Sequence, residues 1–372
     1  MISPETFYHS LTEAGVDCYV GVPDSLLKYF ISYVQQNSKQ HRIMPNEGSA
    51  IAFASGYYLA TQKPALVYLQ NSGIGNTINP LCSLADPEIY SIPMILLIGW
   101  RGMPKHSDEP QHQKQGRITI DLLRTLEIPH FIIDSLRFDA QIKQALKMAQ
   151  QQLKPVALVV PPDSFEPKDL LNPITTKNTD ITRFQALSYL LTHVPEKARI
   201  VSTTGYTSRE LYELREQNSH SHAHDFLMVG AMGHASHLAL GLSMHSEYPI
   251  YCLDGDGALL MHMGALTSIG QSNAVNFYHI LLNNSAHDSV GAQPTLAGSI
   301  NWISMAHACG YKYACSVSTW RELDTVFNLF KNQAGPCFLE IKIACGTLKN
   351  LKRPTLSPGQ NKKDFMQALS LP

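Results

Sequence analysis

Short apolar runs alternate along this chain with longer stretches in which apolar side chains recur every third or fourth position. The first pattern marks strands buried on both faces, the second amphipathic helices. In the first half, residues 18–22, 42–44, 65–69, 94–98, 131–133 and 156–160 predict strands. Residues 25–36, 49–61 and 139–153 predict helices between them. The second half repeats the plan, with strands expected at 199–203, 248–253, 276–282, 313–317 and 337–343. Its helices are expected at 182–193, 234–245, 259–271, 299–309 and 320–331. Regular alternation of this kind is the signature of a parallel sheet wrapped by helices. The expected fold class is therefore α/β, with two doubly wound parallel-sheet domains.

Between the halves, residues 161–180 hold four prolines together with Asn, Thr and Lys, and show no periodicity. The expected division is a first domain over 1–162, a linker over 163–180 and a second domain over 181–372. Residues 359–372 read as a polar tail with room for a short helix at its end.

Composition narrows the function. Charged residues make up 16% of the 372, against about 25% in an average soluble protein, which suggests surface buried against another copy of the chain. Lys plus Arg is 29 and Asp plus Glu is 30, with no basic run, so a nucleic-acid partner is not expected. An anionic ligand would have to be held by local cations. The apolar runs are strand-length, far short of the about 20 residues of a membrane helix. The N-terminal segment, with Glu5, Glu13 and Asp17, lacks the apolar core of a signal peptide. Seven scattered cysteines without a Cys-x-x-Cys pair argue against a disulfide framework or zinc ribbon and for a reducing, cytoplasmic setting.

The strongest chemical signal lies in the second half. The strand expected at 248–253 runs into Gly255-Asp256-Gly257, and the next, at 276–282, ends in Asn283-Asn284. Open α/β sheets bind ligands at such strand ends. Glycines there let phosphate oxygens approach the backbone beside a helix N-terminus. A carboxylate and an amide oxygen are hard ligands suited to Mg²⁺, which fills its octahedron with phosphate oxygens and water. Either motif alone would pass for a turn; the pair, each after a strand, is far more specific.

This pair resembles the cofactor motif of the thiamine diphosphate (ThDP) enzymes. The resemblance implies that Asp256, Asn284 and the backbone carbonyl of Ala286 bind Mg²⁺, which clamps the cofactor's diphosphate. It also implies cofactor-binding roles for Gly205, Gly230, Met232, Gly255, Gly257 and Asn284. Among these, Met232 would prop the cofactor into its bent shape, and the Gly230 carbonyl would receive the aminopyrimidine nitrogen. In the first half, Asn46-Glu47-Gly48-Ser49-Ala50 opens a small-residue helix after the second strand. By the same resemblance, Glu47 shares a proton with the aminopyrimidine, and a buried carboxyl there should have a raised pKa. Taken alone, Glu47 would read as a first-turn glutamate favoured by the helix dipole.

Further segments narrow the resemblance. Gly21-Val22-Pro23-Asp24-Ser25, the run from Gln70 to Asn76, Gly99-Trp100-Arg101-Gly102, Asp108-Glu109-Pro110-Gln111-His112 and the run from Asn283 to Gly291 together resemble the phosphonopyruvate decarboxylase branch of that family. This branch has no middle domain between its pyrimidine-binding and diphosphate-binding domains. Two positions depart from its pattern, with Ser285 and Ala292 standing where glycine is expected. The implied activity is decarboxylation of a 2-oxo acid carrying a phosphonate group, by a homo-oligomer whose subunits share active sites. Arg101 and Lys105 are candidates for the phosphonate, against the plainer reading of a loop with solvated charges. Asp24, His112 and His287 are candidates for proton transfer, against hydrogen-bonded structural roles. The nearest rival is sulfopyruvate decarboxylation; a rival of another class is a non-catalytic diphosphate-binding module. The alternating His220, His222 and His224 invite a transition-metal reading, but a solvated loop or strand edge is the default.

Overall fold

A computed structural model describes residues 1–168 and 179–370. The chain forms two units divided between residues 171 and 172, and 169–178, most of the expected linker, lies outside the described residues. Residues 163–168 precede that stretch. Within them Phe165 is buried and bridges to Ile2, so it packs with the first unit.

In the first unit the strands are β1 (Tyr19–Gly21), β2 (His41–Ile43), β3 (Leu66–Gln70), β4 (Met94–Gly99), β5 (His130–Ile132) and β6 (Pro155–Val160). All pair in parallel, in the order β2-β1-β3-β4-β6-β5. The helices are α1 (Pro4–Glu13), α2 (Lys28–Asn37), α3 (Glu47–Thr61), α4 (Ile74–Pro80), α5 (Pro110–Thr125) and α6 (Phe138–Gln152). Every residue of β4 and β6 is buried, because helices cover both faces. Tyr19, Tyr68, Leu97 and Leu158 pack on one side with Phe7, Phe30 and Leu146. Their strand neighbours Val20, Val67, Leu96 and Val159 pack on the other with Ile51 and Leu123.

The second unit repeats the topology. Its strands are β7 (Arg199–Ser202), β8 (Asp225–Leu227), β9 (Ile250–Gly255), β10 (Phe277–Asn283), the short β11 (Ala286–His287) and β12 (Gln293–Pro294), then β13 (Tyr313–Val317) and β14 (Cys337–Lys342). The main sheet runs β13-β14-β10-β9-β7-β8, all parallel, and β11 and β12 form a separate antiparallel pair. Read from the opposite edge, this is the strand order of the first unit. The helices are α7 (Arg183–His193), α8 (Tyr206–Gln217), α9 (Ala235–Ser243), α10 (Asp256–Met261), α11 (Ala265–Gly270), α12 (Trp302–Cys309), α13 (Trp320–Phe330) and α14 (Pro358–Ser370).

One expectation needs correction, and two elements go beyond the expectations. The helix expected over 259–271 is two, α10 and α11. The chain leaves helical geometry at His262 (φ −132°, ψ 49°) and restarts after Gly264, a residue with poor helix propensity. The tail from residue 359 is helical through 370: α14 is longer than the short helix expected and docks on β8, where buried Asn361 donates to the Asp225 carbonyl (2.8 Å) and accepts from the Leu227 N–H (3.0 Å). In addition, β8, for which the sequence carries no strand expectation, follows directly on His220, His222 and His224 as an edge strand. Asp225 can be buried there because Arg215 grips both its oxygens, at 2.7 and 2.8 Å.

In each unit the chain leaves its first strand toward one edge and returns for its third strand on the other side. The switch points lie between β1 and β3 and between β7 and β9. Ligands of open α/β sheets bind outside the strand C-termini at such points.

Candidate active site

The first unit places a buried carboxyl at its switch-point end. Asn46 follows β2 in extended geometry and caps α3, its side chain accepting from the Gly48 N–H at 2.8 Å. That cap fixes Glu47 as the first helical residue. Glu47 is only 5% exposed, unlike a glutamate that merely decorates a helix start. Gly73, just past β3, lies so close to its carboxyl that a Cβ there would collide with it. Asn76 of α4 donates to Glu47 Oε2 at 2.7 Å. Burial pushes the Glu47 pKa up, and the Asn76 hydrogen bond offsets this only in part. The side chain is thus disposed to hold a proton.

A second network spans the same switch point. Asp24, fully buried after β1, accepts from Gln70 Nε2 at the end of β3 (2.6 Å) and from the Leu26 N–H (3.0 Å). Burial raises its pKa against the opposing pull of Gln70 and Arg101. Arg101, after β4, is not free. Its Nε and one terminal nitrogen fork onto Asp108 at 2.8 and 2.5 Å, and the other donates to Ser25 at 2.7 Å. Asp108 also receives the Gly102 N–H at 2.7 Å, so this fork shapes the loop. Lys105 is exposed in that loop, with φ +71°. His112, in the first turn of α5, has its pKa lowered to about 4 by burial and then by Arg101, and its buried Nδ1 has no hydrogen-bond partner.

The second unit gathers oxygen ligands at its own strand ends. β9 and β10 are neighbours in register, Gly255 opposite Leu282, so Asp256 and Asn284 emerge side by side. Asp256 is 4% exposed and Asn284 2%. The Asp256 carboxyl accepts from Thr295 at 2.5 Å, yet burial lifts its pKa to about 6. Asn284 Oδ1 accepts from the Ala286 N–H at 3.1 Å, while Nδ2 donates to Asp288 at 2.6 Å. Gly205 caps α8 with φ +93°, a backbone conformation that favours glycine, and faces Ser289 of the turn after β11. The His287 ring covers Gly257 closely, and the tip of Met232 reaches the same spot. Burial lowers the His287 pKa to about 4. Gly230 lies in the turn before α9, two residues from Met232. Gln293 pairs with His287 across β11 and β12; it is 2% exposed, and neither of its carboxamide atoms has a partner in the protein.

These residues fit a divalent cation carrying a diphosphate. Asp256 is a carboxylate buried deeply enough that burial raises its pKa, and a cation beside it would offset the cost of its charge. Its neighbours offer amide and carbonyl oxygens, the hard donors that Mg²⁺ prefers. Gly205 leaves its side of the floor low, Gly257 lets the His287 ring and the Met232 tip pack against the backbone, and Gln293 offers an unused donor and acceptor. Elsewhere in this unit, Cys252, Asp254 and His279 are buried within 4.8 Å of one another. His279 is held there by Tyr311 (2.9 Å) and Asp254 (3.4 Å), which is a hydrogen-bonded chain inside the core. His220, His222 and His224 form no metal-binding group among the described residues; His222 stacks on Tyr212 and bonds Glu216.

The fold and these two clusters define an α/β protein of the open parallel-sheet class, with a buried carboxyl of raised pKa in one unit and a cluster of buried oxygen donors at the strand ends of the other. Residues 4–123 match the family described as "Thiamine pyrophosphate enzyme, N-terminal TPP binding domain", and residues 203–341 its C-terminal TPP binding domain. A phosphonopyruvate decarboxylase of Streptomyces hygroscopicus is 34% identical, the match covering 100% of this chain and 95% of that protein. Its counterpart in Streptomyces viridochromogenes is 33% identical over 100% and 96%. A sulfopyruvate decarboxylase of Methanosarcina acetivorans is 26% identical over 97% and 96%. The chain belongs to the thiamine diphosphate-dependent decarboxylases, enzymes that release carbon dioxide from their substrates. No helix among the described residues is long and apolar enough to cross a membrane.

Several residues of the site carried no assigned role in the sequence. Asn76, Asp108 and Asp288 stood inside recognised motifs, a signal that could have singled them out. Thr295 had none: its bond to Asp256 joins residues 39 apart in the chain.

Proposed function

We propose that this enzyme decarboxylates 3-phosphonopyruvate to phosphonoacetaldehyde and CO₂, with ThDP and Mg²⁺, as a step in phosphonate biosynthesis. The observation that carries the reading is one chain holding both a buried, proton-retaining Glu47 and the Asp256–Asn284 oxygen cluster. The full-length likeness to phosphonopyruvate decarboxylases supports the choice of substrate. A non-catalytic diphosphate binder would have no use for Glu47.

Bound ThDP supplies the electron sink for loss of CO₂ from a 2-oxo acid. Asp256, Asn284 and the Ala286 carbonyl hold the metal, Gly205 and Gly255 give the diphosphate room, and Gly257 lets His287 and Met232 close against the cofactor's seat. Met232 and Gly230 shape the cofactor's seat. Glu47 keeps a proton at the aminopyrimidine, and Asn76 holds that carboxyl in place. His112 and His287 are neutral at ordinary pH, so each is a proton acceptor first. Asp24, with its raised pKa, is the better donor. Arg101 keeps N–H donors beyond the three bonds it makes, and Lys105 adds a mobile charge; together they offer cations to the phosphonate. The active form is a homo-oligomer with shared sites, supported by exposed Phe53 and Leu59 on α3 and Ile78 on α4.

Sulfopyruvate is the competing substrate, given the likeness to the Methanosarcina acetivorans enzyme. The deciding experiment gives the pure protein ThDP and Mg²⁺ and measures CO₂ released from phosphonopyruvate, sulfopyruvate and pyruvate. The reading expects the highest kcat/KM on phosphonopyruvate. A preference for sulfopyruvate would overturn the substrate, and no release from any of the three would overturn the activity.

A further inference from the structure

A carboxamide has two ends of similar shape, and only its oxygen can bind a cation. An amide flipped at Asn284 would turn an NH₂ group toward the metal. Something must therefore hold Asn284 in one orientation: the Ala286 N–H donates to its Oδ1 at 3.1 Å, and the amide nitrogen has an anchor of its own. Asn284 Nδ2 donates to Asp288 Oδ2 at 2.6 Å. The same carboxylate oxygen receives Arg183 of α7 at 2.6 Å and the Gly346 N–H at 3.1 Å. Arg183 also donates to the Gly346 carbonyl at 3.1 Å and lies 3.7 Å from Glu210 of α8. The side chains of Arg183 and Asp288 are each 7% exposed, so the pair is shielded from solvent. Asp288 opens a short helical turn just after β11, within the loop that carries Asn284 and Ala286.

We infer that Asp288, braced by Arg183, is a positioning residue for the metal: it anchors the Asn284 amide nitrogen and so commits the oxygen to the cation. The inference rests on the metal-dependent reading proposed above. Arg183 has a second effect. It neutralises Asp288, a hard carboxylate four residues from Asn284, and so keeps it from competing for the ion. Partners that orient metal ligands in this way typically matter about 10–100-fold in metal affinity or activity.

The test follows ThDP binding by calorimetry on the full-length protein, with Mn²⁺ titrated as the metal. Asp288→Ala is expected to raise the Mn²⁺ concentration for half-maximal ThDP binding by about 10–100-fold. At saturating Mn²⁺ the amount of ThDP bound should return to the wild-type level. Asp288→Asn keeps an acceptor for Asn284 but loses the charge facing Arg183, and should show a smaller rise of several-fold. A folded Asp288→Ala protein with the wild-type metal requirement would overturn the inference. So would a loss of ThDP binding that excess metal does not restore, because that marks a structural role only. Should Asp288→Ala fail to fold, Asp288→Asn decides, and an unchanged metal requirement there is the overturning result. Asp256→Ala run in parallel separates the two levels: if it keeps metal-dependent ThDP binding, the underlying metal assignment fails, whatever Asp288 does.

Discussion

Asn76 donates to Glu47 at 2.7 Å across the gap between α4 and the start of α3, and it is the hydrogen bond that opposes the upward pull of burial on this carboxyl. The pair sets how tightly the proton is held. Glu47→Gln is nearly isosteric but cannot exchange a proton with the aminopyrimidine. It should bind ThDP nearly normally and lose most activity, with hydrogen–deuterium exchange at C2 of the bound cofactor, followed by NMR, greatly slowed. Exchange at the wild-type rate would remove Glu47 from the mechanism. Asn76→Ala should act more gently. By removing the bond that lowers the Glu47 pKa, it should move the corresponding limb of the pH–rate profile to higher pH.

Asp256 carries a different burden. Its carboxyl is buried, with a pKa lifted to about 6, and its hydrogen bond from Thr295 does not replace a cation. Asp256→Ala should abolish retention of ThDP through gel filtration at limiting Mg²⁺, and Asn284→Ala should weaken it in the same direction. Wild-type activity of Asp256→Ala at limiting Mg²⁺ would show the assignment to be wrong.

The parts of the fold legible in the sequence are those whose environment is uniform. β4, β6 and β10 are buried along their whole length, so each stands out as an apolar run, broken in β10 only by His279 and the closing Asn283. β8 did not, because its buried Asp225 looks like a surface residue until Arg215 is placed beside it. The helix α8 was hidden for the same reason: Glu210 is 1% exposed on a helix rich in charge. The site divides along a similar line. Asp256, Asn284 and Glu47 could be found because each follows a strand in a spaced motif. The Arg101 contact with Asp108 could not be read, since charge alone does not say whether a guanidinium faces a ligand or a neighbouring loop residue.

Two histidines of the first unit should make folding sensitive to acid. Burial, then Arg42, lowers the His41 pKa to about 4, and burial, then Arg101, does the same for His112. His41 is also bonded to the Tyr68 hydroxyl at 2.8 Å. In the unfolded chain both titrate at about 6.5. Between these values the unfolded state binds more protons, so stability is fully present above about pH 6.5 and is lost as pH falls toward 4. Glu47 and Asp24, raised by burial, work in the opposite direction, so total stability mixes the two effects. The variants separate them. His41→Gln and His112→Gln should each flatten the fall of the urea midpoint between pH 6.5 and 4.5 relative to wild type. Parallel wild-type and variant curves would mean these imidazoles take up protons alike in the folded and unfolded chain.

Arg101 poses the sharpest question about substrate choice, because its fork onto Asp108 gives it a structural duty as well. Losing a charge-assisted hydrogen bond costs about 1.5–3 kcal/mol, roughly 10- to 150-fold in binding. If Arg101 meets the phosphonate, Arg101→Ala should raise KM for phosphonopyruvate by that order, while poor turnover of pyruvate hardly changes. Arg101→Lys should recover only part of the affinity, since a point charge cannot make the forked contact. The difficulty is that Arg101→Ala also strips Asp108 of its partner, and the two side chains are only 17% and 10% exposed. Breaking such a pair is itself destabilising, by about 3–5 kcal/mol for a fully buried one. Asp108→Asn resolves the ambiguity. It weakens the anchor of the loop but leaves the Arg101 charge in place, with donors released toward the ligand. KM for phosphonopyruvate should then stay near wild type or fall, even as the melting temperature drops. Should Asp108→Asn and Arg101→Ala instead raise KM alike, and on phosphonopyruvate, sulfopyruvate and pyruvate equally, Arg101 holds the loop or the shared carboxylate. The phosphonate would then have to be held by other residues, with Lys105 the first to test.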